Sequence, residues 1–263
     1  MGTTISAGQR LRAKWEADEP AFGLWAGIPT SITAEIAAAA GYDYVCTDLQ
    51  HGGSDEATMV SMFQATQAAG AAPLARLAWN EPWLIMRALD LGAVGVILPL
   101  IDSAAEAARA VEACRYPPLG RRSYGPIRAQ MVLGSSSLEA LGTDALCFAM
   151  IETRDGLENL DEIAATPGLD GLYIGPSDLS IALGLPPRGV VGELGEDLRP
   201  LADAIERVRD ACAANGLIAG MHCGSGAAAE RYAREGFRLI TVAVDTNLFR
   251  ATIGHELTAA RGG

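Results

Sequence analysis

The stretch Asp170-Gly171-Leu172-Tyr173-Ile174-Gly175-Pro176-Ser177-Asp178-Leu179-Ser180 carries the reading of the fold. A short apolar run, Gly171–Ile174, is closed by Gly-Pro, and Ser and Asp follow at once. An apolar run of this length between turn residues reads as a buried strand, and proline suits a first helical turn, where its missing N–H would have had no partner. The segment is therefore a strand that runs directly into a helix start.

Working outward, the same unit recurs along the whole chain. Further strands are predicted at Ala21–Ile28, Tyr42–Asp48, Ala72–Leu77, Val94–Leu98, Ala145–Ile151, Leu217–Met221 and Arg238–Val244. Segments of helical period lie between them, roughly Ser31–Ala40, Asp55–Gly70, Pro82–Leu91, Ser103–Arg115, Gly156–Ala165, Leu198–Asn215 and Gly226–Glu235, with Asn247–Ala260 last. Gly41, Gly70, Gly216 and Gly236 each follow a helix, where glycine accepts the left-handed conformation that ends it. Eight βα units in 263 residues match one (β/α)₈ barrel, and no linker or composition shift divides the chain, so residues 1–263 read as a single domain. The rival, a doubly wound open sheet, would usually place a glycine-rich phosphate loop after its first strand; Ala26-Gly27-Ile28-Pro29 is not one. Two stretches interrupt the rhythm, Tyr116–Leu141 and Pro186–Pro200, and both are expected as loops over the catalytic end.

Composition narrows the function. A formal charge of −12 repels phosphate polyanions and anionic membrane faces, so neither nucleic acid nor a membrane is an expected partner. Five scattered cysteines without CxxC spacing fit a reducing compartment, and a cytoplasmic location is expected.

In a (β/α)₈ barrel chemistry sits at the C-terminal ends of the strands, so polar residues there are the candidates. They are Asp48 and His51 after strand two, Arg76 at strand three, Glu152 at strand five, Asp178 after strand six, His222 at strand seven and Asp245 at strand eight. Glu152 and Asp178 end neighbouring strands, and two carboxylates side by side suit a hard divalent cation; the competing reading is that each caps the following helix. Arg76 ends an apolar strand and needs an anion, either a substrate oxygen or a nearby carboxylate. His51 stands three residues after Asp48, which could orient it for proton transfer. The turn Gly175-Pro176-Ser177-Asp178 offers N–H groups to a substrate carboxylate or is simply a capped turn. His222 has no evident partner in the sequence and carries less weight.

Together these residues resemble the HpcH/HpaI aldolase family, the metal-dependent 2-oxo acid aldolases of the phosphoenolpyruvate/pyruvate barrels. The resemblance spans almost the whole chain and rests on Tyr42-Asp43-Tyr44 leading to Asp48 and His51, on Arg76, on Arg122-Ser123-Tyr124-Gly125-Pro126, on Ile151-Glu152-Thr153, on Gly175-Pro176-Ser177-Asp178-Leu179-Ser180 and on Val244-Asp245-Thr246. It implies Glu152 and Asp178 as ligands of Mg²⁺, Mn²⁺ or Co²⁺, Arg76 at the pyruvyl oxygen, His51 with Asp48 in proton transfer, and Gly175, Pro176, Ser177 and Asp178 around the substrate carboxylate. It further implies reversible cleavage of 4-hydroxy-2-oxo acids to pyruvate and an aldehyde. A homotrimer or homohexamer with an exchanged C-terminal helix is also implied, with Asp90 reaching a neighbouring subunit's site. Met150 departs from the pattern, since the family often has glutamine there.

Aldolases activate the donor through a lysine imine or through a metal. The only lysine is Lys14, ahead of the first strand, so the metal route is expected. A citramalyl- or malyl-CoA-type lyase is the alternative within the same chemistry, and a carboxylate-binding barrel without catalysis is the alternative outside it.

Overall fold

The computed structural model describes residues 5–189 and 194–262. Its eight strands are β1 (Ala21–Ala26), β2 (Tyr44–Asp48), β3 (Ala72–Arg76), β4 (Gly95–Leu98), β5 (Leu146–Ile151), β6 (Gly171–Ile174), β7 (Ile218–His222) and β8 (Leu239–Val244). Each pairs in parallel with its neighbours in sequence, and β8 returns to β1, so the sheet closes as a (β/α)₈ barrel. The helices are α1 (Ala7–Glu16), α2 (Ser31–Ala39), α3 (Glu56–Ala68), α4 (Pro82–Asp90), α5 (Ala104–Cys114), α6 (Ala129–Leu133), α7 (Leu138–Asp144), α8 (Arg154–Glu158), α9 (Leu160–Ala164), α10 (Pro176–Ala182), α11 (Arg199–Asn215), α12 (Gly226–Arg234) and α13 (Asp245–Ala260).

Both faces of a parallel barrel are buried, which is why the strands read as unbroken apolar runs. On β5, Leu146, Phe148 and Met150 fill the barrel interior, while Cys147, Ala149 and Ile151 pack outward against the helices. Side chains alternate with a period of two, so continuing the inward series one step beyond the packed core delivers a polar group to the mouth. Glu152 continues Phe148 and Met150, Asp48 continues Tyr44 and Cys46, and Arg76 continues Leu74.

Three features differ from expectation. The first is α1, absent from the sequence reading, which closes the N-terminal end: Ala7 and Leu11 join the interior cluster, Arg12 pairs with Asp170 at 2.8 Å, and Trp15 Nε1 donates to the Arg238 carbonyl at 2.9 Å. Its start is marked by a capping box, Ser6 with Gln9, a signal present in the sequence.

The second is Tyr116–Leu141, which does not lie over the catalytic end. The complete helix α5 precedes it and brings the chain back to the N-terminal end, where Arg115 donates to the carbonyls of Ala145 and Gly168. The third is the break of the predicted helix Gly156–Ala165 at Asn159 into α8 and α9. The stretch Pro186–Pro200 starts behind α10, where buried Ser180 donates to the Pro186 carbonyl and accepts from Arg188 N–H; residues 190–193 within it lie outside the described residues.

Candidate active site

A cavity of about 310 Å³ opens at the C-terminal mouth, lined among others by Trp25, Asp48, His51, Arg76, Met150, Asp178 and His222. A larger one, about 580 Å³, opens beside α1 at the opposite end, but its cations are already engaged. Lys14 pairs there with Asp43 at 3.1 Å, and Arg10 donates to backbone carbonyls. The mouth cavity is the one that gathers the polar strand-end residues.

Arg76 and Asp48 form a forked ion pair. Nε donates to Oδ1 at 2.7 Å and Nη2 to Oδ2 at 2.6 Å, with both side chains buried. Asp48 also accepts from Trp25 Nε1 at 3.0 Å and from the backbone N–H groups of Gln50 and His51 at 3.0 and 3.1 Å. Burial would raise the Asp48 carboxyl, but the hydrogen bonds and charge of Arg76 outweigh it and hold the group below its ordinary value. Arg76 thus has the carboxylate partner that the sequence left open. Its guanidinium nonetheless has N–H groups beyond the two given to Asp48, and it stands 5.3 Å from the Trp25 ring centre on the cavity wall. Asp48 holds the backbone of the turn that carries His51, and the exposed imidazole has no side-chain bond to it among the described residues.

Neither Glu152 nor Asp178 caps a helix. Thr153 Oγ1 caps α8 by accepting from Gly156 N–H at 2.9 Å, and α10 starts at Gly175 without a side-chain cap. Glu152 is 4% exposed, and its Oε1 accepts from the Leu100 N–H at 2.9 Å. Leu100 adopts a left-handed backbone, φ 54°, unusual for a branched residue, and this strained turn aims its N–H at the carboxylate. Burial raises the Glu152 carboxyl to about 7; the Leu100 bond opposes this and the neighbouring Asp178 charge adds to it. Gly175 makes the room: a Cβ there would stand 2.5 Å from Glu152 Oε2 and 3.3 Å from Met150 Sδ.

These observations fit a divalent cation. A desolvated carboxylate with a second one acting on it, and only a distant opposing charge from Arg76, which is committed to Asp48, has room for a counter-ion, and oxygen donors are what hard cations take. Among the described residues no cluster of three or more His, Cys, Asp and Glu side chains is placed to hold a metal.

Two residues found their places only in the structure. Asp245 accepts from the N–H groups of Gly27 and Ile28 at 2.9 and 3.0 Å, tying β8 to the turn after β1, so its role is structural. His222 lines the cavity, packed edge-on against Trp25 with ring centres 4.8 Å apart. Burial and then the Arg76 charge lower it to about 4 from 6.5, opposed by Asp48. A depressed folded value means that stability is complete above the unfolded value and is lost as pH falls toward the folded one. Relative to a His222→Leu variant, the wild type is therefore expected to lose up to roughly 3 kcal/mol between pH 6.5 and 4, read from urea unfolding at several pH values. Parallel pH curves for the two proteins would contradict this.

Asp90 ends α4, away from this cavity, and pairs with buried Arg122 at 2.8 Å. From Asn247 onward the residues of α13 are all exposed.

A closed parallel sheet with helices between its strands and charged side chains at its C-terminal mouth defines the class, a (β/α)₈ barrel. The pattern of the HpcH/HpaI aldolase/citrate lyase family matches residues 21–252, and the chain belongs to that family. It is 36% identical to a hydroxypyruvate/pyruvate aldolase of Rhizorhabdus wittichii over 96% of this chain and 98% of the relative. It is 35% identical to a 4-hydroxy-2-oxo-heptane-1,7-dioate aldolase of Klebsiella pneumoniae, over 94% and 91%. Among solved structures, an HpcH/HpaI aldolase/citrate lyase family protein of Burkholderia cenocepacia superimposes with a TM-score of 0.84 at 35% identity, covering 98% of this chain and all of that one.

Proposed function

We propose that this protein is a divalent-metal-dependent aldolase that reversibly cleaves 4-hydroxy-2-oxo acids to pyruvate and an aldehyde. The observation that carries the reading is Glu152, a buried carboxylate that caps no helix, accepts the N–H of a strained turn and is raised further by the charge of a second carboxylate, Asp178. The relatives named as aldolases match over nearly their whole length.

Glu152 and Asp178 would hold Mg²⁺, Mn²⁺ or Co²⁺, which when bound supplies Lewis-acid polarisation of the 2-oxo group. Arg76 donates to the 2-oxo oxygen as negative charge builds there, and the fork to Asp48 keeps the guanidinium aimed before substrate arrives. The first-turn N–H groups of Ser177 and Asp178, with Gly175 and Pro176 shaping the turn, face the substrate carboxylate. His51, on the turn fixed by Asp48, takes the proton of the C4 hydroxyl as the C3–C4 bond breaks and then returns it to C3, giving the methyl of pyruvate.

Release of pyruvate from a 4-hydroxy-2-oxo acid, abolished by chelator and restored by metal, tests the reading. No covalent trapping is expected in the same assay: Lys14 is tied to Asp43 at the far end, so borohydride with pyruvate leaves the protein mass unchanged. A pyruvyl-lysine adduct would replace the metal mechanism with an imine.

A homotrimer or homohexamer completes the proposal. Leu248, Phe249, Ile253 and Leu257 leave an apolar set on exposed α13, which suits exchange of that helix between subunits. Asp90, remote from its own cavity, would then serve a neighbour's site. Five free, buried cysteines fit a cytoplasmic location, and among the described residues no helix is long and apolar enough to cross a membrane.

A further inference from the structure

The turn after β4 and the turn after β5 are clamped together around Glu152. Glu152 Oε1 accepts the Leu100 N–H at 2.9 Å, and further ties lie on both sides of it in the chain. Before it, the Met150 carbonyl accepts from the Ile101 N–H at 3.4 Å; after it, the Thr153 hydroxyl donates to Asp102 Oδ1. Asp102 commits its backbone as well as its carboxylate to this frame. Its N–H donates to Glu106 Oε2 at 2.8 Å, in the first turn of α5, and its carbonyl accepts from Asn159 Nδ2 at 2.8 Å.

Three departures from regular structure serve this contact. Leu100 takes the left-handed backbone, φ 54°, that residues other than glycine seldom adopt. The helix predicted at Gly156–Ala165 breaks at Asn159, whose side chain turns to the Asp102 carbonyl. Gly156 lets the two turns approach, since a Cβ there would stand 2.7 Å from the Ile101 carbonyl oxygen. The frame also settles which oxygen of Glu152 is left for a ligand. Oε1 is held by Leu100, and Oε2 is the one beside Gly175, where a Cβ would stand 2.5 Å from it, at the helix start that carries Asp178.

We propose that Asp102, which does not line the mouth cavity, is a positioning residue for the divalent cation: tied to Thr153 and Asn159, it fixes the Leu100 turn, so that Glu152 keeps Oε1 on the Leu100 N–H and offers Oε2 to the metal. This rests on the reading of Glu152 as a metal ligand and adds the residue that aims it. Asp102 also acts on Glu152 through its charge, behind burial and Asp178 among the causes that raise that carboxyl, so direct attraction of the cation is the competing role. The two roles differ in what an amide does. Asparagine gives up the charge, but its carbonyl oxygen still accepts from the Thr153 hydroxyl.

Mn²⁺ affinity of the full chain, measured by calorimetry, tests this without turnover. Groups that orient metal ligands are worth about 10- to 100-fold in affinity, so Asp102→Ala should raise the Kd for Mn²⁺ by at least about tenfold, while Asp102→Asn stays within about twofold of wild type. An asparagine variant as weak as the alanine variant assigns the effect to charge and overturns the positioning role. Wild-type affinity in Asp102→Ala overturns any role of Asp102 and leaves the metal reading standing. Asn159→Ala covers the case in which Asp102→Ala does not fold, because Asn159 is exposed. Loss of its bond to the Asp102 carbonyl should raise the Kd about fivefold, the worth of one hydrogen bond, and an unchanged Kd overturns the proposal. A wild type that binds none of Mn²⁺, Mg²⁺ and Co²⁺ removes the metal reading and this proposal together.

Discussion

Arg76→Ala is expected to lower kcat/KM by roughly 10² to 10³, the range seen when a preorganised donor to a developing oxyanion is removed. The same change leaves Asp48 buried without its cation, which costs about 3–5 kcal/mol of stability. Activity loss in the alanine variant alone would therefore mix chemistry with unfolding. Arg76→Lys separates them, because lysine keeps the charge beside Asp48 but cannot reproduce the fork from Nε and Nη2. The lysine variant should remain folded by circular dichroism and still lose most of its kcat. Wild-type turnover in Arg76→Lys would mean that the guanidinium serves only as the partner of Asp48.

Glu152→Gln is the second change with a large expected effect. Altering the groups that merely orient metal ligands costs 10- to 100-fold in affinity, so removing a ligand should weaken Mn²⁺ binding by at least about 100-fold, read by calorimetry. Stability should move the other way. The folded carboxyl is raised to about 7 from 4.5, so its contribution is complete below about pH 4.5 and is lost as pH rises through 7. Metal-free wild type should accordingly lose up to roughly 3 kcal/mol relative to Glu152→Gln across that window. A variant that binds metal poorly yet outlasts the metal-free wild type above pH 7 is the signature of a residue retained for function. Gly175→Ala should reproduce the loss of metal affinity with Glu152 intact, since the added Cβ would displace its carboxylate.

The sequence disclosed the barrel because its signal is local and repeated. All eight strands were placed to within two residues of either end, for both faces of each strand are buried and each apolar run is closed by turn residues. Glu152, Arg76 and Asp48 were legible for a related reason, as charges that continue apolar strands. What was not legible depends on contacts far apart in the chain. That Arg76 and Asp48 satisfy each other, leaving His51 held by its backbone, follows from the register of β2 with β3. His222 gained no weight from its neighbours in sequence because its partners come from β1 and β6, through Trp25 and Tyr173. The end of the barrel to which Tyr116–Leu141 belongs was legible too, since the helix predicted at Ser103–Arg115 already carries the chain back to the N-terminal end, as α5 does; what the sequence does not show is the anchoring of the stretch there, by Arg122 on Asp90 and Arg128 on the Leu91 carbonyl.

The most direct test needs no knowledge of the aldehyde: the pyruvate methyl signal followed by proton NMR in D₂O, with chelator-treated protein and after Mg²⁺ is restored. The account predicts loss of the signal only with metal present, and none in Glu152→Gln. Exchange that persists in the chelated protein, or no exchange with Mg²⁺, Mn²⁺ or Co²⁺, would contradict metal-dependent activation of the 2-oxo acid at this site.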